Sequence, residues 1–274
     1  MTTITVLVEN TARRGELRAE HGFSALVEHG GSRVLFDTGA SDAFFDNAAT
    51  LGCDLVHVDA LAISHGHWDH TGGLVRALTY FIEKGVQPSV IFHPDMQLYR
   101  RRGPEEAKRS GERDLSMPEE ARKLLQSFPL IISSEPVWIN ESLVWLGQIP
   151  RKDTTTMALI GEVKREGIYE RDEILDDTAL ACITPEGLNI VVGCAHAGII
   201  NIVEQAKAVT GVTTINAVIG GLHTKGVSAQ ALETVTRYLR AQAIPHLYAC
   251  HCSGDALARA GLGKELSGGD ILAL

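Results

Sequence analysis

The sequence concentrates metal-binding side chains in one short stretch, His65-Gly66-His67-Trp68-Asp69-His70. Three imidazoles and one carboxylate lie within these six residues, and zinc, manganese and iron accept both kinds of ligand. Alternate side chains of a strand point the same way, so we expect His65 and His67 to face one ion together. Asp69 and His70 follow where the chain turns into a helix, and they can reach a second ion. Two ions about 3.5–4 Å apart can polarise a substrate oxygen and activate water.

The predicted elements around this stretch indicate an α/β protein. ALAIS, 60–64, is a short buried strand that leads into the histidines, and a helix begins after Thr71-Gly72-Gly73. SALVEHGGSRVLFDTG and TALACITPEGLNIVVGCA are each a hairpin that ends in a glycine-containing turn before a helix. Strands followed by outer helices in two similar halves predict a four-layer α-β-β-α sandwich.

The length and composition favour one large domain, residues 1–274. The chain has 274 residues, of which 45% are apolar and 22% are charged, so it can bury most of its apolar surface without disulfides. Residues 99–128 differ from the rest, because they combine many arginines and glutamates with Pro104 and Pro118, which start helix-like segments. We expect an inserted helical arm there.

The net charge bears on the partners of the protein. A net charge of −9 argues against nucleic acid or an anionic membrane surface as the main partner. A small-molecule substrate is expected, and it can be anionic because metal ions oppose the global charge. The sequence itself does not fix the oligomeric state.

Three absences in the sequence bear on the location of the protein. The first residues lack the pattern of a signal peptide, and no apolar run reaches the length of a membrane span. The five cysteines form no C-x-x-C pair, which fits a reducing compartment better than a disulfide framework. We therefore expect a cytoplasmic protein.

SHGHWDHTGGL resembles the H-x-H-x-D-H motif of the metallo-β-lactamase superfamily, and LFDTG, 35–39, resembles the strand that precedes that motif. AEHGFSALVEHGGSRVLFDTG, DDTAL, VGCAHAGIIN, IGGLHT and HCSG are together similar to one subgroup, the β-lactamase superfamily II metal-dependent hydrolases. This subgroup includes proteins related to the methanopterin-pathway dihydropterin ribofuranosyl-aminobenzene-phosphate synthase. The resemblance spans roughly residues 4–254 and implies a sandwich of the metallo-β-lactamase type.

The resemblance implies two divalent metal ions, which would be zinc, with manganese or iron as alternatives. Later histidines at strand ends complete the two ions in the superfamily. Carried onto this sequence, the first ion would be bound by His65, His67 and His196, and the second by Asp69, His70 and His251. The alternative for His196 and His251 is a core, capping or packing role.

Five further residues have open roles near the ions. The superfamily usually has a bridging aspartate in a Gly-Asp turn, and the matching turn here ends in Cys194, which is either a ligand or a small buried residue. Asp176 or Asp177 could supply the missing oxygen instead, or cap a strand. Asp37 is expected to orient a ligating histidine. His223 could stabilise an oxyanion or transfer a proton, or be structural.

The remaining histidines and cysteines have simpler interpretations. His21 can point toward the site from the first hairpin, whereas His93 is interpreted as structural. Cys250 and Cys252 would point away from His251 on a strand, so we expect them to pack rather than bind metal. Surface or packing roles are expected for His29, His57 and His246.

The arginines of the arm allow two interpretations. Arg100, Arg101 and Arg102 would approach an anionic substrate group if the arm closed over the cleft. A solvated charged face is the more ordinary interpretation, and we favour it.

Three functions are compatible with these residues. The leading hypothesis is hydrolysis of an ester, lactone or phosphodiester by metal-activated water, with Asp69 orienting the nucleophile and His223 or His251 stabilising negative charge. The second is a transferase that forms a C–N bond on a phosphorylated pterin-like substrate, which rests on the subgroup resemblance alone. The third is a metal-binding redox or sensor protein. His67 weighs against it, since the flavodiiron oxidases of the same fold have a glutamate there.

Overall fold

The computed structural model describes residues 1–111 and 113–274. Its strands are β1 (Thr2–Val8), β2 (Ser24–His29), β3 (Ser32–Phe36), β4 (Ala60–Ala62), β5 (Ser89–Phe92), β6 (Arg100–Arg101), β7 (Leu130–Ile132), β8 (Val137–Asn140), β9 (Leu143–Trp145), β10 (Glu162–Arg165), β11 (Ile168–Arg171), β12 (Ala179–Thr184), β13 (Gly187–Val192), β14 (Ile215–Gly221), β15 (His246–Cys250), β16 (Lys264–Glu265) and β17 (Ile271–Ala273). Its helices are α1 (Ala43–Leu51), α2 (Trp68–Thr71), α3 (Leu74–Lys84), α4 (Pro104–Ser110), α5 (Glu119–Leu125), α6 (Ile199–Thr210), α7 (Ala229–Ala241) and α8 (Ala256–Arg259).

Two seven-stranded sheets form the centre of the molecule. The first has the order β17-β1-β2-β3-β4-β5-β7 and the second the order β16-β15-β14-β13-β12-β9-β8. Neighbouring strands are parallel from β3 to β7 in the first sheet and from β13 to β16 in the second. Each sheet therefore has an edge at which the carboxyl ends of parallel strands meet, and such edges are where ligands bind in open α/β sheets.

Three apolar clusters separate four layers. One fills the space between the two sheets, with Phe36 on the first sheet and Trp145 on the second. The second cluster packs α1, α3 and α5 on the outer face of the first sheet, and the third packs α6 and α7 on the outer face of the second. Because an amphipathic helix must cover the outer face of each sheet, the alternating pattern gives helix, sheet, sheet and helix. The predicted four-layer sandwich is confirmed.

The segment predicted as an arm, 99–128, has two unlike parts. Its first part adds β6 to a small sheet with β10 and β11, and α4 buries no side chain. Its second part contains α5, which places Ala121 and Leu125 in the core against the first sheet and α3. The division into a single domain with an inserted arm stays a prediction, but the exposed part of this segment ends before α5.

Among the described residues, every helix is too short or too polar to cross a lipid bilayer.

Candidate metal centre

The first group of donors lies in the loop that follows β4 and in α2. The ring centroid of His65 is 4.7 Å from that of His67 and 4.3 Å from that of His70. Asp69 Oδ2 is 3.9 Å from His70 Nε2, and all four side chains are buried. The order of these four residues in the sequence already predicts that their side chains lie together.

The predicted strand through these histidines is wrong, because β4 ends at Ala62. His65 and His67 nevertheless converge, with His65 Nε2 3.1 Å from His67 Nδ1. The reason is Gly66, whose backbone N–H donates to Asp176 Oδ2 at 2.7 Å. A Cβ there would clash with the carbonyl oxygen of Met96. The loop is therefore pressed against its neighbours, and only glycine fits between the two histidines.

The second sheet supplies the remaining histidines from the ends of its parallel strands. The ring centroid of His196, which follows β13, lies 4.8 Å from that of His65 and 4.9 Å from that of His67. His251, which follows β15, places its Nε2 3.3 Å from His70 Nε2 and 3.4 Å from Asp69 Oδ2. The structure thus assembles the two sets implied by the resemblance, His65 with His67 and His196, and Asp69 with His70 and His251.

The donor atoms in this cluster fit a metal ion. The Nε2 atoms of His67 and His196 are buried and have no hydrogen-bond partner among the described residues, although buried polar atoms are normally paired. Burial, together with the nearby Arg100 guanidinium, lowers the pKa of His67 to about 4. A neutral imidazole with an unused lone pair is the form that binds zinc, manganese or iron.

Outer contacts hold the candidate ligands in place. His70 Nδ1 is 2.7 Å from Asp37 Oδ2, as predicted for a group that orients a ligating histidine. Asp37 also accepts hydrogen bonds from the backbone and the hydroxyl of Ser64, at 2.7 and 2.6 Å. Burial alone would lower the pKa of His70, but the Asp37 carboxylate raises it to about 9. His196 Nδ1 bonds the carbonyl oxygen of Ala158 at 2.8 Å, which leaves Nε2 for a ligand.

The two consecutive aspartates before β12 face different parts of the site. Asp176 Oδ1 accepts from Arg100 Nη2 at 2.7 Å, in addition to its bond with Gly66. Asp177 Oδ2 accepts from the Ala197 backbone N–H at 2.8 Å, and burial raises the pKa of Asp177 to about 7. Asp176 therefore supports the loop of His65 and His67. Asp177 Oδ1 is buried with no hydrogen-bond partner among the described residues, and its role as an additional ligand stays a prediction.

Arg100 does not belong to a solvated face, and the prediction is wrong for this residue. Its guanidinium is 1% exposed and bonds Asp172 Oδ2 at 2.6 Å as well as Asp176. Arg101 is exposed and pairs with Glu162, as expected of a surface residue. The sequence could not separate Arg100 from Arg101, because their partners lie 61 to 76 positions away.

Asp69 faces the cleft between two histidines. Its Oδ2 is 3.3 Å from His21 Nε2, so His21 points toward the site as predicted. Burial alone would raise the pKa of Asp69, but hydrogen bonds from His21 and His251 hold it well below its usual range. Asp69 is therefore an anion beside the converging imidazoles.

The prediction that Cys252 points away from the site is wrong. The strand ends at Cys250, and the left-handed backbone of His251 (φ 53°) turns the chain into a short 3-10 helix. Cys252 then lines the cleft with Cys194 and His223, whose Nδ1 lies 3.5 Å from Cys194 Sγ. Cys250 packs between the sheets, as expected.

Two residues that follow β1 also support His251, and the sequence does not predict them. The His251 backbone N–H donates to Glu9 Oε1 at 2.7 Å, and His251 Nδ1 is 3.0 Å from Asn10 Oδ1. Their side chains come from the opposite end of the chain, so no local pattern connects them with His251. Left-handed backbone at Asp37, Ala195 and His223, all non-glycine, is a second hidden feature of the site.

The other predicted packing residues lie where expected. His93 accepts a hydrogen bond from the backbone of Asp95 and contacts Gln148, away from the cleft. His29 is buried against Thr2, and His57 and His246 are exposed.

The donors open into a cleft of about 280 Å³. Arg102 and Arg113 line it from the arm, and the Arg113 guanidinium carbon lies 3.7 Å from the centre of the Trp68 ring. The same two arginines also line an adjoining cavity of about 480 Å³, together with Tyr99 and Tyr169. Positive charge and aromatic faces therefore extend from the donor cluster along the arm.

The chain is similar to proteins of one superfamily over most of its length. A family model described as the metallo-beta-lactamase superfamily matches residues 17–156. An uncharacterised protein of Methanocaldococcus jannaschii is 34% identical over 253 residues, covering 92% of this chain and 90% of that protein.

Two further relatives carry named activities. The 7,8-dihydropterin-6-methyl-4-(beta-D-ribofuranosyl)-aminobenzene-5'-phosphate synthase of the same archaeon is 27% identical over 245 residues, covering 86% of this chain and 82% of the synthase. The crystal structure of Tm1679, a metal-dependent hydrolase of the beta-lactamase superfamily, is 28% identical with a TM-score of 0.84, covering 100% of this chain and 99% of the other.

Proposed function

Because this chain belongs to the metallo-beta-lactamase superfamily, we propose that it is a metal-dependent hydrolase that acts on an ester, lactone or phosphodiester of a small molecule. The observation that carries the proposal is the convergence of two donor groups on one cleft, with the buried Nε2 atoms of His67 and His196 unpaired within the described chain. Structural histidines normally use both ring nitrogens or expose one, so this arrangement favours ligation.

The proposed ligands are two sets of three residues. His65, His67 and His196 would hold one ion, and Asp69, His70 and His251 would hold the other. When bound, divalent ions supply Lewis acidity that activates water near neutral pH and polarises a substrate oxygen. Zinc suits the imidazole-rich set best, with manganese or iron as alternatives.

The residues of the chain itself supply water positioning and charge stabilisation. Asp69 is ionised and faces the cleft, so its carboxylate would orient a water molecule. His223 lines the same cleft and holds its Nδ1 3.2 Å from the Cys194 carbonyl oxygen. The carbonyl oxygen only accepts, so Nδ1–H is the donor in that contact, and Nε2 can also donate only when the ring is protonated. Burial alone would lower the pKa of His223, but the hydrogen bond with Cys252 raises it. The protonated ring would then donate from Nε2 to negative charge as it develops on the substrate.

The cleft favours a small anionic substrate. Its volume of about 280 Å³ lies just below the range of ligand sites, which is roughly 300–1,000 Å³. Arg102 and Arg113 at its rim match a phosphate or carboxylate. These dimensions support a small-molecule partner as part of the proposal.

The proposal is tested by metal analysis of the protein purified without added metal, followed by assays on matched ester, lactone, thioester and phosphodiester substrates. We expect about two divalent ions per chain and turnover of at least one substrate class that a chelator abolishes. Metal-loaded protein that turns over none of these classes would contradict the hydrolase proposal. Iron together with oxygen consumption would favour the redox alternative.

A transferase is the second candidate, and a specific observation favours it. The synthase relative covers 86% of this chain, and the adjoining cavity combines Arg101, Arg102 and Arg113 with two tyrosines. Guanidinium groups beside aromatic faces suit a phosphorylated aromatic compound. Incubation of metal-loaded protein with a pterin diphosphate and an aromatic amine tests this: coupled product with released pyrophosphate supports the transferase, and simple hydrolysis contradicts it.

A further inference from the structure

Cys194 occupies the position between the two proposed ligand sets. Its Sγ lies within 4.8 Å of a ring nitrogen of both His65 and His196, and equally within 4.8 Å of a ring nitrogen of both His70 and His251. The residue is 4% exposed. Among the groupings of the described residues that could hold a metal ion, one sulfur atom is thus shared by the two imidazole pairs.

These separations suit coordination. A Zn–S bond is about 2.3 Å and a Zn–N bond about 2.0–2.1 Å, so in a tetrahedral site a sulfur and a nitrogen on one ion lie roughly 3.6 Å apart. Donors that lie within 4.8 Å of each other therefore need to approach by at most about 1.2 Å. Small side-chain rotations cover that distance, so the sulfur can reach either ion without a change of fold.

The turn that carries Cys194 is fixed from both sides. A Cβ on Gly193 would clash with Ser64 Oγ, so this turn is pressed against the Asp37–Ser64 pair that orients His70. On the other side, a Cβ on Gly221 would lie 2.4 Å from the Gly193 carbonyl oxygen. Close backbone packing at two glycines holds the thiol at the junction of the two sheets.

We propose that Cys194 is a metal ligand whose thiolate bridges the two ions. This inference rests on the proposed function, since it requires that the two donor groups bind metal. Cys252 is assigned a supporting role, because its Sγ lies 3.5 Å from the Cys194 carbonyl oxygen and can donate to it. A sulfur ligand makes the centre softer, so it favours zinc, iron or cobalt over manganese.

Cobalt(II) is the probe that tests the assignment. The metal-free protein is titrated with Co²⁺ alone, and the near-ultraviolet thiolate-to-cobalt charge-transfer band is recorded together with bound cobalt. We expect the band in the wild type, in the control Cys53→Ser and in Cys252→Ser. In Cys194→Asp we expect cobalt to bind with loss of the band, because a carboxylate can bridge but gives no such transition.

The outcomes separate this inference from the proposed function. Wild-type protein that binds cobalt without the band overturns the sulfur ligand and leaves the metal centre standing. Protein that binds no cobalt overturns both. A band that survives in Cys194→Asp and disappears in Cys252→Ser would show that Cys252, and not Cys194, is the sulfur ligand, and it would overturn the proposal.

A measurement on the wild-type protein tests the proposal even if a variant fails to fold. X-ray absorption of the zinc-loaded wild type is expected to show a sulfur scatterer at about 2.3 Å. A shell of nitrogen and oxygen alone would overturn the proposal without any substitution.

Discussion

The two halves of the molecule contribute to the candidate metal centre in different ways. The N-terminal half supplies His65, His67, Asp69 and His70 from one loop and the short helix that follows it. The C-terminal half supplies His196 and His251 singly, from the ends of two different parallel strands. The first group is a motif that can be seen in the sequence, whereas the second exists only once the sheet has formed.

The contacts behind the ligands cross between these halves. Glu9 of the first half holds the backbone of His251, and Asp176 of the second half holds the backbone of Gly66. Each half therefore positions donors that belong to the other. This teaches that the contiguous motif is not a self-sufficient metal site, although its sequence suggests one.

The largest effect is expected from removing one ligand in each half. His67→Ala and His196→Ala should both lose bound metal, and activity should fall more than about 100-fold, because changes behind metal ligands already cost roughly 10–100-fold. Metal content by mass spectrometry and the initial rate on the active substrate give the result. His57→Ala, on an exposed side chain, is the control. If His67→Ala kept its full metal content and full activity, the proposed function would be wrong.

The next effect concerns the ion-pair network under the first half. Arg100→Met leaves Asp172 and Asp176 buried without their cation. We therefore expect the free energy of unfolding, measured by urea titration, to fall by about 3–5 kcal/mol. The exposed neighbour Arg101→Met should change stability by less than about 1 kcal/mol. Equal effects of the two substitutions would show that Arg100 does not brace the motif.

A smaller effect distinguishes the two supporting carboxylates. Asp37→Asn should weaken metal affinity roughly 10–100-fold, because it replaces the acceptor that orients His70 by an amide. Asp177→Asn should weaken it less, since the raised pKa of about 7 leaves much of that side chain neutral and an amide oxygen still accepts from Ala197. Competition titrations with a chelator measure the metal affinity of both variants. A larger loss of affinity in Asp177→Asn than in Asp37→Asn would contradict the greater importance of Asp37.

The smallest effect tests an ion pair that joins the halves near β10. Arg165 Nη1 lies 3.2 Å from Asp95 Oδ1. Burial alone would raise the pKa of Asp95, but the bond to Arg165 lowers it. Because the folded pKa is depressed, the stabilisation is present above the unfolded value, about 4, and is lost as the pH falls through the folded value.

Asp95→Asn should therefore cost no more than about 1 kcal/mol at neutral pH, since both partners are partly exposed. Urea titrations at neutral and at acid pH measure the difference from wild type. The difference in stability between Asp95→Asn and wild type should disappear at acid pH. A difference that grew at acid pH would contradict the lowered pKa of Asp95.

What could be predicted from the sequence follows the same division. The layer order and the motif were predictable, because hydrophobic pattern and ligand type are local properties. His196 and His251 required the family resemblance, since nothing near them in the chain marks a metal site. Neither source indicated the support from Glu9, whose partner lies at the opposite end of the chain.

The wrong predictions share a physical cause. Strand alternation extended beyond Cys250 predicts that Cys252 points away, but the left-handed backbone of His251 turns the chain into a short 3-10 helix there. A shared solvated face is predicted for Arg100 and Arg101, but the alternation of β6 turns Arg100 inward toward Asp172 while Arg101 faces solvent. In both cases the local backbone conformation, which the sequence does not show, decides which way the side chain points.

The contact between Glu9 and His251 also has a consequence for biosynthesis. The HGHWDH segment leaves the ribosome early, but its last partner is made only after more than 180 further residues. Until His251 emerges and docks against the first strand, the exposed imidazoles of the nascent chain lack their full coordination. In the proposed two-ion site, full coordination therefore requires the two ends of the chain to have packed against each other first.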